Sequence, residues 1–162
     1  AIKYLKNSED TIIRNYGKII EELSNSITEI EKEIDELLPK EVLKLTEICG
    51  IEKLTAAIIY TETKGRLTNK EAFANYCAIA PIENSSGKSS KHCINRRGNR
   101  TLNNIFFRIS MCQSLKDEKG KAYYEKKLKE GKSPRHARKC LARQLCNVVF
   151  RVLKSSETQG KP

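Results

Sequence analysis

The chain has 162 residues, enough for one compact domain and an additional helical element. Its residues are 38% hydrophobic and 31% charged, no apolar run approaches the ~18 residues of a membrane span, and the opening AIKYLKNSED lacks the regions of a secretory signal. These features speak against a membrane-spanning chain, and the expectation is a cytoplasmic protein.

The net charge of +11 is unevenly spread. Residues 1–75 carry 11 Lys/Arg against 14 Asp/Glu, whereas residues 76–162 carry 20 against 6. A strongly basic half attracts polyanions, and nucleic acid is the partner this segregation favours over general solubility charge.

The first predicted element is a long helix. Apolar residues at Ile13, Tyr16, Ile20, Leu23, Ile27, Ile30, Ile34 and Leu37 alternate steps of three and four, which is a heptad seam. Glu21, Glu22, Glu29, Glu31, Glu33, Asp35 and Glu36 lie between the seam positions, and Pro39 ends the run. The seam predicts a coiled coil over residues 1–40 and homo-oligomers through it; packing against its own domain is the alternative.

A short helix then ends at Gly50, and a second helix runs from about Lys53 to Thr63. Helix, glycine turn, helix is the helix-hairpin-helix pattern, whose turn suits a phosphate, so Gly50 and Lys53 become candidate contacts. An ordinary helical corner is the alternative. Thr68-Asn69-Lys70-Glu71 reads as a capping box opening a helix over about Asn69–Cys77, and Ala78-Ile79-Ala80-Pro81 breaks it. Residues 82–98 are polar and irregular, with room for a short hairpin.

After Gly98 a helix resumes with Leu102, Ile105, Phe106 and Ile109 on one face. A polar connection is predicted near Asp117–Gly120, then a basic helix around Tyr123–Lys129. Ser133-Pro134 is an N-cap followed by a first-turn proline, launching a last helix over about Pro134–Leu153. There Leu141, Leu145, Val148, Val149 and Val152 face inward. Arg135, Arg138, Lys139, Arg143 and Arg151 supply charge, and Arg135 and Arg138 are taken as nucleic-acid contacts. The fold class is all-α: a coiled-coil helix over 1–40, a compact helical domain over 41–154, and a disordered tail over 155–162. None of the six cysteines forms a C-x-x-C pair, so free thiols are favoured over a zinc site.

Several of these pieces stand in a familiar order. Cys49-Gly50-Ile51 is followed by Thr55-Ala56-Ala57, by Ala78-Ile79-Ala80-Pro81, and after four residues by Ser86-Gly87. Arg97-Gly98-Asn99 with Leu102, then Ala122-Tyr123-Tyr124-Glu125 and Gly131-Lys132, complete the series. The order resembles the C-terminal transposase domain of the IS-one-ten family of insertion sequences, which includes Piv-type DNA invertases and bridge-RNA-guided recombinases. The resemblance covers about residues 43–154. The family usually has I-P-G-I-G at the hairpin and G-L-A-P at the later break. Here Cys49 replaces the proline, Glu52 the second glycine, and Ala78 the glycine of G-L-A-P. Its L-R after the G-N element becomes Leu102-Asn103.

The resemblance implies that Ser86 is a nucleophile that cuts and rejoins DNA through a phosphoserine link. The residues alone do not select it from Ser85, Ser89 and Ser90. Attack concentrates negative charge on phosphoryl oxygens, which Lys88, Lys91, Arg96, Arg97 and Arg100 follow closely enough to offset, while Gly87 allows close backbone approach. Asn99 joins the candidate DNA- or RNA-binding set through the R-G-N element. The resemblance further implies guide RNA as a partner and a nuclease-like domain with acidic Mg2+ ligands. Nothing in this sequence matches that domain, so the chain reads as a fragment, inactive alone, with no metal or cofactor of its own. A nucleoid-associated prokaryotic location follows. The competing reading is a non-catalytic helix-hairpin-helix module.

Overall fold

The computed structural model describes residues 2–66, 68–86, 89–93, 95 and 97–159. Among the described residues the fold is all-α apart from one two-stranded hairpin. The chain divides into two units, 1–38 and 39–162.

In the first unit, α1 (Ile2–Lys6) packs on α2 (Thr11–Leu37). Asp10 starts α2: its carboxylate accepts the Ile12 N–H at 2.8 Å, satisfying a donor that no earlier turn can reach. The helices meet at Gly17, where a Cβ would stand 2.9 Å from the Lys6 backbone nitrogen. A Lys6–Glu21 ion pair closes the corner. The predicted seam leaves most of its side chains in water: Tyr16 is 61% exposed, Ile27 57% and Leu37 82%.

In the second unit, α3 (Lys40–Leu43) runs into a 3-10 turn at Lys44–Glu47, then a turn at Gly50 leads to α4 (Lys53–Thr63). The first limb of the expected helix pair is thus one α-turn and one 3-10 turn, while the second has the expected bounds. α5 spans Lys70–Tyr76. Its N-cap is Asn69, which accepts the Ala72 N–H at 2.7 Å, one residue later than the capping-box reading. The hairpin, α6 (Arg100–Lys116), α7 (Glu118–Lys129) and α8 (Pro134–Gln159) follow.

Two boundaries differ from expectation. No polar connection separates α6 from α7. Asp117 alone ends the first helix and caps the second, accepting the Gly120 N–H at 2.7 Å. Gly120 lies inside α7 because a Cβ there would meet the Gln113 carbonyl oxygen at 2.9 Å; this glycine marks close helix approach, not a loop. α8 runs to Gln159, through the first residues of the tail expected over 155–162.

The core forms where α3, α5, α6 and α7 pack on α8. Phe73 sits at its centre, edge-on to Phe106 at 6.3 Å and tilted against Phe150 at 5.6 Å. Leu102, Phe106 and Ile109 of α6, and Leu141, Leu145 and Val149 of α8, are buried as their spacing requires. Val148 and Val152 are only half-buried. Lys154 donates to the Thr68 carbonyl at 2.9 Å and Arg143 to the Lys70 carbonyl at 3.4 Å, fastening α8 to the start of α5.

Candidate functional site

The polar stretch after Pro81 folds as an antiparallel hairpin, β1 (Ile82–Ser86) and β2 (Ser89–Cys93). Ile82 pairs with Cys93 at the base, Asn84 with Lys91 midway, and Ser86 with Ser89 at the closing end. Ser86 is therefore the last residue of β1. Gly87, Lys88 and Arg96 lie outside the described residues.

The base of the hairpin is fastened to the end of α5. The chain leaves α5 through Ala78, whose φ of 55° falls in the left-handed region. An alanine there costs roughly 1–2 kcal/mol of backbone strain. The resembled G-L-A-P pattern places a glycine here, and Ala78 takes the conformation that glycine favours. The returning chain packs directly on this turn. A Cβ on Gly98 would stand 2.7 Å from the Ala78 Cβ, the Ala78 nitrogen and the Tyr76 carbonyl oxygen. The Asn99 N–H donates to that carbonyl at 2.7 Å.

Asn99 is bonded within the fold on both sides of its amide. Its Oδ1 accepts the Leu102 N–H at 3.0 Å as the N-cap of α6, and its Nδ2 donates to Glu62 Oε2 at 2.6 Å. The side chain expected to contact nucleic acid is thus engaged within the fold. Tyr76 completes the group, its hydroxyl donating to the Glu62 carbonyl at 3.2 Å and its ring lying 5.2 Å from the Arg66 guanidinium. Glu62, Tyr76 and Asn95 were not singled out by sequence. The partners of Asn99 are 23 and 37 residues away, a separation no local pattern reveals.

Among the other candidates, Arg97 and Arg100 are exposed beside the hairpin base, Arg100 as the first residue of α6. Lys91 lies on β2. Gly50 turns with φ +90°, and a Cβ there would meet Cys112 Cβ at 2.9 Å, so both conformation and space require glycine. Lys53 is the first residue of α4, whose N-cap Glu52 makes no side-chain capping bond. Arg135 is exposed in the first turn of α8. Arg138 stacks on Tyr124 at 5.5 Å, and its buried Nε has no hydrogen-bond partner among the described residues. Ser133 Oγ lies 3.4 Å from the His136 N–H, a loose version of the expected cap.

Lys127 on α7 hydrogen-bonds Glu130 at 2.8 Å, which raises the lysine's pKa and lowers the carboxylate's. Two thiol pairs flank the turns. Cys77 hydrogen-bonds Cys146, and that bond together with burial pushes the Cys77 thiol far above its ordinary range. Burial and then a bond to Cys112 raise Cys49. Among the described residues, no three His, Cys, Asp or Glu side chains gather as a metal-ligand set, and no helix is long and apolar enough to cross a membrane.

The geometry defines a helical domain that grips a serine-bearing hairpin at its base and displays arginines beside it. The chain belongs to the transposases described as the IS116/IS110/IS902 family, whose pattern matches residues 43–125. It is also similar to the "Insertion element IS110 uncharacterized 43.6 kDa protein" of Streptomyces coelicolor, at 29% identity over 149 residues. That similarity covers 84% of this chain and 36% of the relative, so the chain spans well under half of the relative's length.

Proposed function

We propose that this chain is the DNA-handling part of a transposase-type recombinase in which Ser86 attacks the DNA backbone. The observation that supports the reading most is the position of Ser86 at the closing end of β1, within the residues that match the transposase family. Ser86 Oγ attacks phosphorus and loses its proton. The 3′ oxygen of the broken strand leaves as a 3′-OH, and the phosphate remains esterified to serine. Attack by another 3′-OH on that ester rejoins DNA and restores the serine, so the bond energy is conserved and no nucleotide triphosphate is consumed.

Lys88, Lys91, Arg96, Arg97 and Arg100 follow Ser86 closely in sequence and offset charge on the phosphoryl oxygens. Mg2+ is expected through a nuclease-like domain of the kind the resemblance implies, which this sequence does not match. Arg135 and Arg138 extend the contact to DNA or a guide RNA through phosphates. The exposed seam of α2 supports self-association. The location that goes with this function is cytoplasmic and nucleoid-associated.

A second reading, a non-catalytic helix-hairpin-helix module, is favoured by the α4 N-terminus, whose N-cap residue Glu52 makes no side-chain capping bond. One experiment separates the two. The full-length enzyme is incubated with DNA, guide RNA and Mg2+, and a covalent protein–DNA adduct is sought after denaturation. The adduct is expected with the parent and not with Ser86→Ala. An adduct of equal yield from Ser86→Ala refutes Ser86 as nucleophile, and no adduct from either favours the binding module.

A further inference from the structure

We propose that Asn95 is a positioning residue for Ser86, acting through the base of the hairpin. The inference rests on the reading of Ser86 as the attacking group. Asn95 is 8% exposed, and its side-chain amide is used at both ends. Nδ2 donates to the Asn75 carbonyl at 3.0 Å, and Oδ1 accepts the Arg97 N–H at 2.9 Å. The first bond ties the chain just beyond β2 to the last turn of α5, twenty residues earlier. The second folds the chain locally, where Gly98 packs on Ala78 and Asn99 bonds the Tyr76 carbonyl. β1 begins at Ile82, four residues past Ala78 in that same turn. β1 therefore starts from, and β2 ends at, one clamp, and Asn95 is its buried polar fork.

Leverage makes the clamp matter. The closing pair Ser86–Ser89 lies four residue steps from the basal pair Ile82–Cys93. At ~3.3 Å per residue that is about 13 Å. A tilt of about 10° at the base then moves the closing end by roughly 2 Å, and a misplacement of about 1 Å can cost on the order of a hundredfold in rate. Alanine at position 95 would leave the Asn75 carbonyl and the Arg97 N–H without this partner. The hairpin would remain paired with itself but be held less firmly.

Two readouts test the proposal. In the full-length enzyme at saturating DNA, Asn95→Ala should slow adduct formation by about 10- to 100-fold while DNA affinity stays within about threefold. A rate within about twofold of the parent overturns the proposal, and so does a loss of affinity that accounts for the loss of rate. The second readout needs no catalysis. In this chain, amide hydrogen exchange of residues 82–86 and 89–93 should quicken about tenfold in Asn95→Ala, with α6 and α8 amides unchanged. Equal acceleration throughout α6 and α8, or a variant that does not fold, assigns Asn95 to general stability and overturns the proposal. Should Ser86→Ala still form the adduct while faster exchange is confined to the hairpin, the reading of Ser86 has failed and the clamp has not.

Discussion

Replacing Gly98 with alanine tests the packing that carries the hairpin. The added Cβ meets three atoms at 2.7 Å, and two of them, the Ala78 nitrogen and the Tyr76 carbonyl oxygen, are backbone. Backbone cannot rotate aside as a side chain does, so the segment must move. Overpacking of this kind costs about 1–3 kcal/mol. The shift also stretches the Asn99-to-Tyr76 hydrogen bond, a loss of about 0.5–1.5 kcal/mol. Gly98 does not have a positive φ, so alanine recovers roughly 0.4–1 kcal/mol through the unfolded chain. The net expectation is a destabilisation of roughly 2 kcal/mol, read from urea unfolding as a lower midpoint at unchanged slope. Ala78→Gly supplies an internal control. It removes the one side-chain atom in the clash, so the cost of Gly98→Ala should fall by about 0.5–1 kcal/mol in that background, while relief of the left-handed strain is common to both chains compared there and cancels. A destabilisation below about 0.5 kcal/mol for Gly98→Ala would refute the packing argument. An unchanged cost beside Ala78→Gly would clear the Ala78 methyl of any part in it.

Three other outcomes follow from separate features. Ile27→Glu places a charge in the middle of the exposed seam and should shift the chain to monomer in sedimentation; an unchanged mass would mean that the seam does not associate. Arg135→Gln should lower the slope of log affinity for duplex DNA against log salt by about 1, and an unchanged slope would remove Arg135 from the phosphate contacts. The raised Cys77 pKa gives a pH dependence. Above about pH 8.5 the unfolded chain releases a thiol proton that the folded chain keeps, so stability is full below that pH and declines as pH rises. Cys77→Ala should flatten the decline between about pH 8 and about pH 10 in unfolding experiments; parallel declines would show that this thiol is not its source.

The sequence is most informative where one local device decides the outcome. Gly50 and the apolar run after it place α4 at Lys53–Thr63, and Ser133-Pro134 places the start of α8. It is least informative where tertiary contact overrides local chemistry. Gly120 resembles punctuation but serves helix approach, and the polar residues 155–159 continue a helix. The candidate site divides in the same way. A polar loop with room for a hairpin is legible from composition, whereas Asn95 and Glu62 act through partners 20 and 37 residues distant. The choice among four nearby serines rests on family order, because residue type alone makes them equivalent.

The manner in which α8 covers the second unit has a consequence for synthesis. α8 packs on α3, α5, α6 and α7, and its side chains reach back 73 and 86 residues to the start of α5. Chains emerge N-terminus first at about 5–20 residues per second. Until α8 leaves the ribosome, Val42, Leu45 and Phe73 lack a covering layer that the finished fold provides. α6 and α7, joined by one residue, can pair early because their contacts are local. α5, whose final turn holds the hairpin base, is therefore covered only when the 26-residue α8 docks. The layer under the hairpin's anchor is thus among the later parts of this unit to be covered.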